Sequence, residues 1–291
     1  MKYRVRHITC YSYHGLVPLC QNQAYLSPRV FDRQQCELSK VTVQPEPIET
    51  HAWTDYFGNS ALYFAVDVPH DELTVTAESI VKVTAPKLPA PAATPPWEHA
   101  RDATAKSLTD KAAQFTFESP LIRFIDEAYD YALPSFAPGR PLLEAVLDLT
   151  GRIFREFKYD PTASCVNTPT EETLRKRRGV CQDFAHLEIT CLRSLGLAAR
   201  YVSGYLLTDP PPGQQKLVGA DASHAWLSVY CPQQNCWFDL DPTNNQIPQI
   251  RHVTLAWGRD YSDVCPIKGV FLGGGDHRMY VSVDVAPTPD N

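Results

Sequence analysis

A chain of 291 residues with 44% hydrophobic content exceeds the usual single domain of about 100–200 residues and can bury real cores. Its net charge of −6 argues against a nucleic-acid partner, since phosphate binding relies on a basic surface. No apolar stretch approaches the roughly 18 residues a membrane helix needs, and Met1-Lys2-Tyr3-Arg4-Val5-Arg6-His7 has no apolar leader core behind it, so the chain reads as cytoplasmic and without a membrane partner.

The first 85 residues read as strands. Arg4 to Ile8, Leu38 to Val43, Ala61 to Val66 and Leu73 to Val83 are rich in alternating, β-branched or aromatic residues with polar punctuation, and a β-sandwich is their natural closure. Residues 86–97 form a Pro-rich linker, because proline removes backbone donors and stiffens the chain into an extended spacer. Residues 98–291 form a second domain with a C-terminal β extension. There the hydrophobic period changes to about 3.6. Ser119-Pro120 offers a helix start with Leu121, Phe124, Ile125 and Ala128 on one face, and a second helix is predicted from Pro141 to Phe157.

A short helix is predicted next, with Thr168 and Glu171 as a capping box, Arg175 to Arg178 complementing its dipole, and Gly179 as its left-handed exit. The basic run thus has a structural explanation, with anion steering beside the site as the alternative. The chain then restarts as an amphipathic helix at Cys181 and ends it at Gly196. Asp183 in the first turn satisfies amides at the helix start, and Glu188, two turns below Cys181, pairs inside the core or lines the floor of a site. His186 points well away from Cys181 around the helix.

Nine cysteines is an odd number, and no Cys-x-x-Cys suggests a zinc site or redox pair. Cys231 and Cys236 flank a turn at Pro232-Gln233-Gln234-Asn235, yet a reducing compartment favours two thiols there. Cys10, Cys20, Cys36, Cys165, Cys191 and Cys265 read as inert small hydrophobes. Cys181 differs. A helix N-terminus favours the thiolate, and His224 and a carboxylate follow downstream. His224 begins an alternating strand and can face a cleft as the base. The remaining histidines, His7, His14, His51, His70, His99, His252 and His277, show no metal-ligand spacing, so no metal is assigned.

Three segments carry a resemblance: Gly179-Val180-Cys181-Gln182-Asp183-Phe184-Ala185, His224-Ala225-Trp226, and Trp237-Phe238-Asp239-Leu240-Asp241-Pro242-Thr243. In this order they resemble the transglutaminase-like branch of the papain-type thiol enzymes. Tyr3 to Thr9 and Asp55-Tyr56-Phe57-Gly58-Asn59 are similar to the N-terminal β-domain of a bacterial subgroup. The resemblance implies an α+β fold, in which an N-terminal β-sandwich precedes a papain/transglutaminase-like core with the Cys181 helix packed on an antiparallel sheet. It assigns the catalytic carboxylate to Asp241, immediately before Pro242-Thr243, with Asp239 as the second choice. One oxyanion donor is the Cys181 backbone N–H; for the second, Tyr159 is the accessory candidate beside its role as a packing aromatic.

The expected reaction is acyl transfer through a thioester, most naturally hydrolysis of a peptide or side-chain amide. This chemistry needs no cofactor. Calcium, used by the animal relatives, finds no EF-hand-like loop here. Protein cross-linking by a glutamine γ-glutamyltransferase activity is the alternative, and a non-catalytic peptide-binding module the third reading. In each case the partner is a peptide or protein.

Overall fold

The computed structural model describes residues 1–106, 111–209 and 222–289. Six strands come first: β1 (Lys2–Val17), β2 (Leu19–Ala24), β3 (Gln34–Gln44), β4 (Glu49–Thr54), β5 (Ser60–Val66) and β6 (His70–Val83). Helices α1 (Trp97–Lys106), α2 (Asp126–Ala132) and α3 (Leu142–Glu156) follow, then the two-residue strand β7 (Lys158–Tyr159), α4 (Thr170–Lys176) and β8 (Arg178–Gly179). The chain continues through α5 (Cys181–Ser194), β9 (Ala199–Leu206), β10 (Ala222–Cys231), β11 (Cys236–Leu240), β12 (His252–Gly258), α6 (Tyr261–Val264), β13 (Ile267–Leu272) and β14 (His277–Thr288). The fold is α+β, with a strand-rich N-terminal region and a helix-on-sheet core.

Two four-stranded antiparallel sheets, ordered β14-β1-β6-β3 and β13-β2-β5-β4, form the N-terminal region. Each takes its outermost strand from the far end of the chain, so the C-terminal β extension completes the N-terminal sheets by pairing β14 with β1 and β13 with β2. Strands β2 and β4 escape the pattern of alternation because Gln21-Asn22-Gln23 and Glu49-Thr50-His51 place polar side chains where periodicity would show. A third sheet, β11-β10-β9-β12, carries α5 on one face. Ala225, Leu227 and Val229 of β10 meet Ala185, Leu187, Ile189 and Leu192 of α5 in one buried cluster. That cluster also takes in Leu143, Val146, Leu149 and Ile153 of α3 and, from the other end of the chain, Tyr3, Val5, Val81 and Val83.

The Pro-rich segment is docked. Pro95 O accepts the Leu142 N–H at 2.8 Å and Thr94 Oγ1 the Leu143 N–H at 3.1 Å, so this stretch satisfies the first free amides of α3. The predicted helix at Ser119 is instead a turn, with Ser119 and Ile122 bridged to each other and α2 starting only at Asp126. Ser119 accepts from the buried Arg193 guanidinium at 3.3 Å, a tertiary contact that competes with capping. Thr168 likewise accepts from Cys165 N at 2.8 Å instead of capping α4, whose left-handed exit is Arg177 at φ 53° and not Gly179.

Candidate active site

Cys181 is the first residue of α5, where amides of the opening turn have no partner inside the helix and the helix dipole is positive. The chain enters through Val180 in extended conformation, and its N–H donates to Asp183 Oδ2 at 2.7 Å. Ser164 Oγ donates to the same oxygen at 2.5 Å. Burial raises the Asp183 carboxyl, and these two bonds oppose the rise. The approach also explains Gly179, because a Cβ there would lie 2.6 Å from Asp183 Oδ2. Its role is close packing beneath the helix start.

His224 lies on β10 in register with Gly204 of β9, which in turn pairs with Thr254 of β12. A Cβ on Gly204 would fall 2.2 Å from Val253 O and 2.5 Å from the Trp226 ring, so only glycine lets Trp226 close over this strand. The Trp226 ring stacks near His224 at 6.0 Å and meets His252 edge-on at 5.2 Å. His224 Nε2 donates to Asp241 Oδ2 at 2.8 Å, and the ring also hydrogen-bonds the Cys181 thiol. Since Nε2 faces the carboxylate, Nδ1 is the nitrogen left for sulfur. Burial alone would lower His224, but its bonds to Asp241 and Cys181 and their charges prevail and raise it to about 10.

Asp241 follows the end of β11 in a tight turn. Its Oδ1 accepts the Thr243 and Asn244 N–H groups at 3.0 and 3.2 Å, and its Oδ2 accepts from His224, from Asn244 Nδ2 at 2.8 Å and from His252 Nε2 at 3.1 Å. Burial would raise this carboxyl; five donors, led by His224 and His252, hold it well below the usual range. His252 and Asn244 are the two contributors that sequence reasoning passes over. His252 is buried, its Nε2 faces Asp241, and its Nδ1 has no partner among the described residues. The His224, Asp241 and His252 ligand atoms lie within 4.8 Å of one another, the type of cluster a cation could use. Their separations are those of hydrogen bonds, and a cation there would occupy the nitrogen that His224 turns to Asp241.

The other sequence-predicted positions fall elsewhere. Asp239 lies on the same side of the sheet one step further along, where Ser228 Oγ donates to it at 2.5 Å and Arg33 pairs with it; the structure does not bring it to His224. Tyr159 pairs through β7 with Gly179 and stands close enough to Cys181 for the thiol's charge, after burial, to raise its phenol. His186 is buried, accepts the Tyr261 N–H at 3.2 Å and is lowered by burial to about 4. Glu188 is buried below the site, accepts from Thr150 Oγ1 at 2.7 Å and is raised to about 8 by burial, with the Asp241 charge contributing. All nine cysteines are free. Cys165 is exposed, contrary to expectation, and hydrogen bonds from Thr168 and from the Asn167 backbone lower its thiol.

Cys181 and His224 open into a cleft of about 460 Å³. One side is the start of α5 with β9 and β10; the facing wall is the β1–β14 pair. A helix-start thiol, an imidazole between it and a carboxylate, and an adjoining cleft constitute the parts needed for nucleophilic attack on a carbonyl.

The chain belongs to the transglutaminase-like superfamily. The family model described as the transglutaminase-like superfamily matches residues 131–242, and that of the bacterial transglutaminase-like N-terminal region matches residues 3–82. An uncharacterized protein of Mycobacterium tuberculosis is 43% identical over 98% of this chain and 93% of its own length. One of Mycobacterium leprae is 30% identical over 97% of each. A shorter stretch, 34% of this chain and 12% of the relative, is 32% identical to the peptide-N(4)-(N-acetyl-beta-glucosaminyl)asparagine amidase of Gallus gallus. In fold, the chain is similar over its whole length to a crystal structure described as a candidate cysteine protease from Cytophaga hutchinsonii, covering 92% of it at a TM-score of 0.75 and 20% identity.

Proposed function

We propose that this protein hydrolyses a peptide or side-chain amide through a thioester on Cys181, with His224 as the proton carrier and Asp241 as its orienting carboxylate. The observation that carries this reading is the single imidazole bonded to Asp241 through Nε2 and to the Cys181 thiol. The amidase relative, similar over a third of the chain, is named for cleavage of an amide, which supports hydrolysis as the outcome.

In the first half-reaction the Cys181 thiolate adds to the carbonyl carbon. The negative oxygen so formed meets the Cys181 N–H at the helix start, with the Tyr159 hydroxyl as the candidate for a second donor. The C–N bond then breaks as the His224 imidazolium gives its proton to the leaving amine. In the second half-reaction, water loses a proton to His224 and adds to the thioester; the C–S bond breaks and regenerates the thiolate, which leaves a carboxylic acid. The occupants of the cleft are peptides or proteins, and no cofactor enters either step.

The test is incubation with a mixed peptide library and a large excess of a labelled primary amine, read by mass spectrometry of both products and enzyme. The expected result is cleaved or deamidated peptides, a trapped acyl group on Cys181, little amine label, and loss of all three signals in Cys181→Ala. Dominant amine incorporation would make the protein a cross-linking transglutaminase. Peptide binding with no product, from protein whose Cys181 is reduced, would leave a binding module.

A further inference from the structure

The facing wall of the cleft comes from the two ends of the chain. On β1 and β14, His7 pairs with Val283, Thr9 with Val281 and Tyr11 with Met279, and all six side chains line the cleft opposite Cys181 and His224. The rungs grade outward. Val283 and His7 are buried against the catalytic core, with His7 bonded to Tyr205 Oη at 2.9 Å and to Thr9 Oγ1 at 2.8 Å, whereas Val281 is 40% and Met279 59% exposed at the mouth. Large apolar side chains at that exposure, continuous with a nucleophile's cleft, are unused contact area.

Two further observations narrow the occupant. The cleft lining contains no Asp, Glu, Lys or Arg among the described residues, and burial lowers His7 to about 4, so this wall is uncharged at neutral pH. Strand β14 is also the outermost of its sheet, paired with β1 on one side and with no strand on the other among the described residues. An outermost strand offers main-chain N–H and C=O groups to an added extended segment, and alternate side-chain pockets then set its specificity.

Resting on the hydrolase reading above, we infer that the occupant is an extended segment of a protein substrate that lies along β14 and sets aliphatic or aromatic side chains, next to the attacked amide, against Val281 and Met279. The N-terminal sheet is thereby the specificity wall of the site. A charged flanking residue would lose its hydration against this wall with no counter-charge to replace it.

The experiment measures protection of Cys181 from iodoacetamide, with modification located by peptide mapping, in the full-length protein. The probes are eight-residue peptides with a central glutamine flanked either by leucine and phenylalanine or by aspartate and lysine. Each protection is expressed as the ratio of rates without and with peptide. The apolar peptide should protect about tenfold better than the charged one, the size of effect that burying one apolar side chain supports. Met279→Asp and Val281→Asp should each remove that difference, and Met279→Leu should keep it. Met279 is 59% exposed, and a near-ultraviolet spectrum and melt of its aspartate variant check that it folds. Equal protection by both peptides, or an unchanged difference in the aspartate variants, would overturn the inference. Failure of the hydrolase reading shows separately, as protection by the apolar peptide with no acyl group ever found on Cys181.

Discussion

Asp239 and Asp241 leave the same side of one strand end two residues apart, and their surroundings separate their roles. Asp239 balances Arg33 and holds Ser228, while Asp241 gathers five donors around a carboxylate that fixes His224. The pairing raises His224 to about 10, so the stability it contributes is whole below the ordinary histidine value and is lost as pH rises through about 10. In the proposed reaction the same proton must be present to reach the leaving amine. The alkaline limb of kcat/KM should therefore lie near that pH and move toward neutrality in Asp241→Asn, with kcat lowered by about 10⁴, as for the corresponding change in a serine triad. Asp239→Asn should leave kcat within about threefold, since this buried carboxylate holds Ser228 and Arg33 and does not touch His224, so its loss acts mainly on stability. A steady-state pH series on the three proteins decides; the reverse ranking would move the orienting role to Asp239. Cys181, His224 and Asp241 are legible in the sequence because each sits in a contiguous motif. His252 is not, since its contact with Asp241 exists only once β12 pairs with β9, and Asn244 is hidden in a turn whose geometry Asp241 itself creates.

The central sheet brings these residues together through a small number of tight crossings, of which Gly204 is the most exacting. Trp226 can pack against both His224 and His252 only because β9 carries no side chain beneath it. Gly204→Ala must push either Trp226 or the Val253 carbonyl, and overpacking of this kind costs about 1–3 kcal/mol. Thermal melts should show that loss. Turnover measured well below the melting range should fall further than Ala substitution at a remote buried glycine would cause, because the ring that shoulders both histidines has moved. Full turnover in a destabilised Gly204→Ala protein would detach Trp226 from the site. At this scale α3 is the legible element, as its apolar stripe matches its buried face from Leu142 to Ile153, whereas α5, amphipathic in sequence, is buried all round from Asp183 to Arg193 with its polar His186, Glu188, Thr190 and Arg193 included. The misread starts at Ser119 and Thr168 share one cause. Each hydroxyl has a tertiary or loop partner that outbids the local cap, and no local pattern reveals it.

Strand β1, at 16 residues, is long enough to serve two cores. Its beginning, Tyr3 and Val5, shares a buried cluster with α3, α5 and the C-terminal Val283 and Val285; its far end, Tyr13 and Val17, packs in the sandwich with Phe64, Leu73 and Val75. The cleft opens between those two anchorages. A Pro-rich spacer and a change of period read in sequence as two units on a tether, because hydrophobic pattern records that a strand is half-buried and not which sheet buries it. The shared cluster instead couples the wall of the cleft to the helix that carries Cys181. Calorimetry should accordingly show one unfolding transition for the whole chain. Val5→Ala, which removes two methyl groups from a site 1% exposed, should cost roughly 2 kcal/mol and lower that single Tm by several degrees. The near-ultraviolet signal of the central-sheet tryptophans and the alkylation rate of Cys181 should follow the same melting curve. Two separated transitions, with only the first moved by Val5→Ala, would mean that the N-terminal sheets fold alone and that the wall is free to leave the nucleophile it faces.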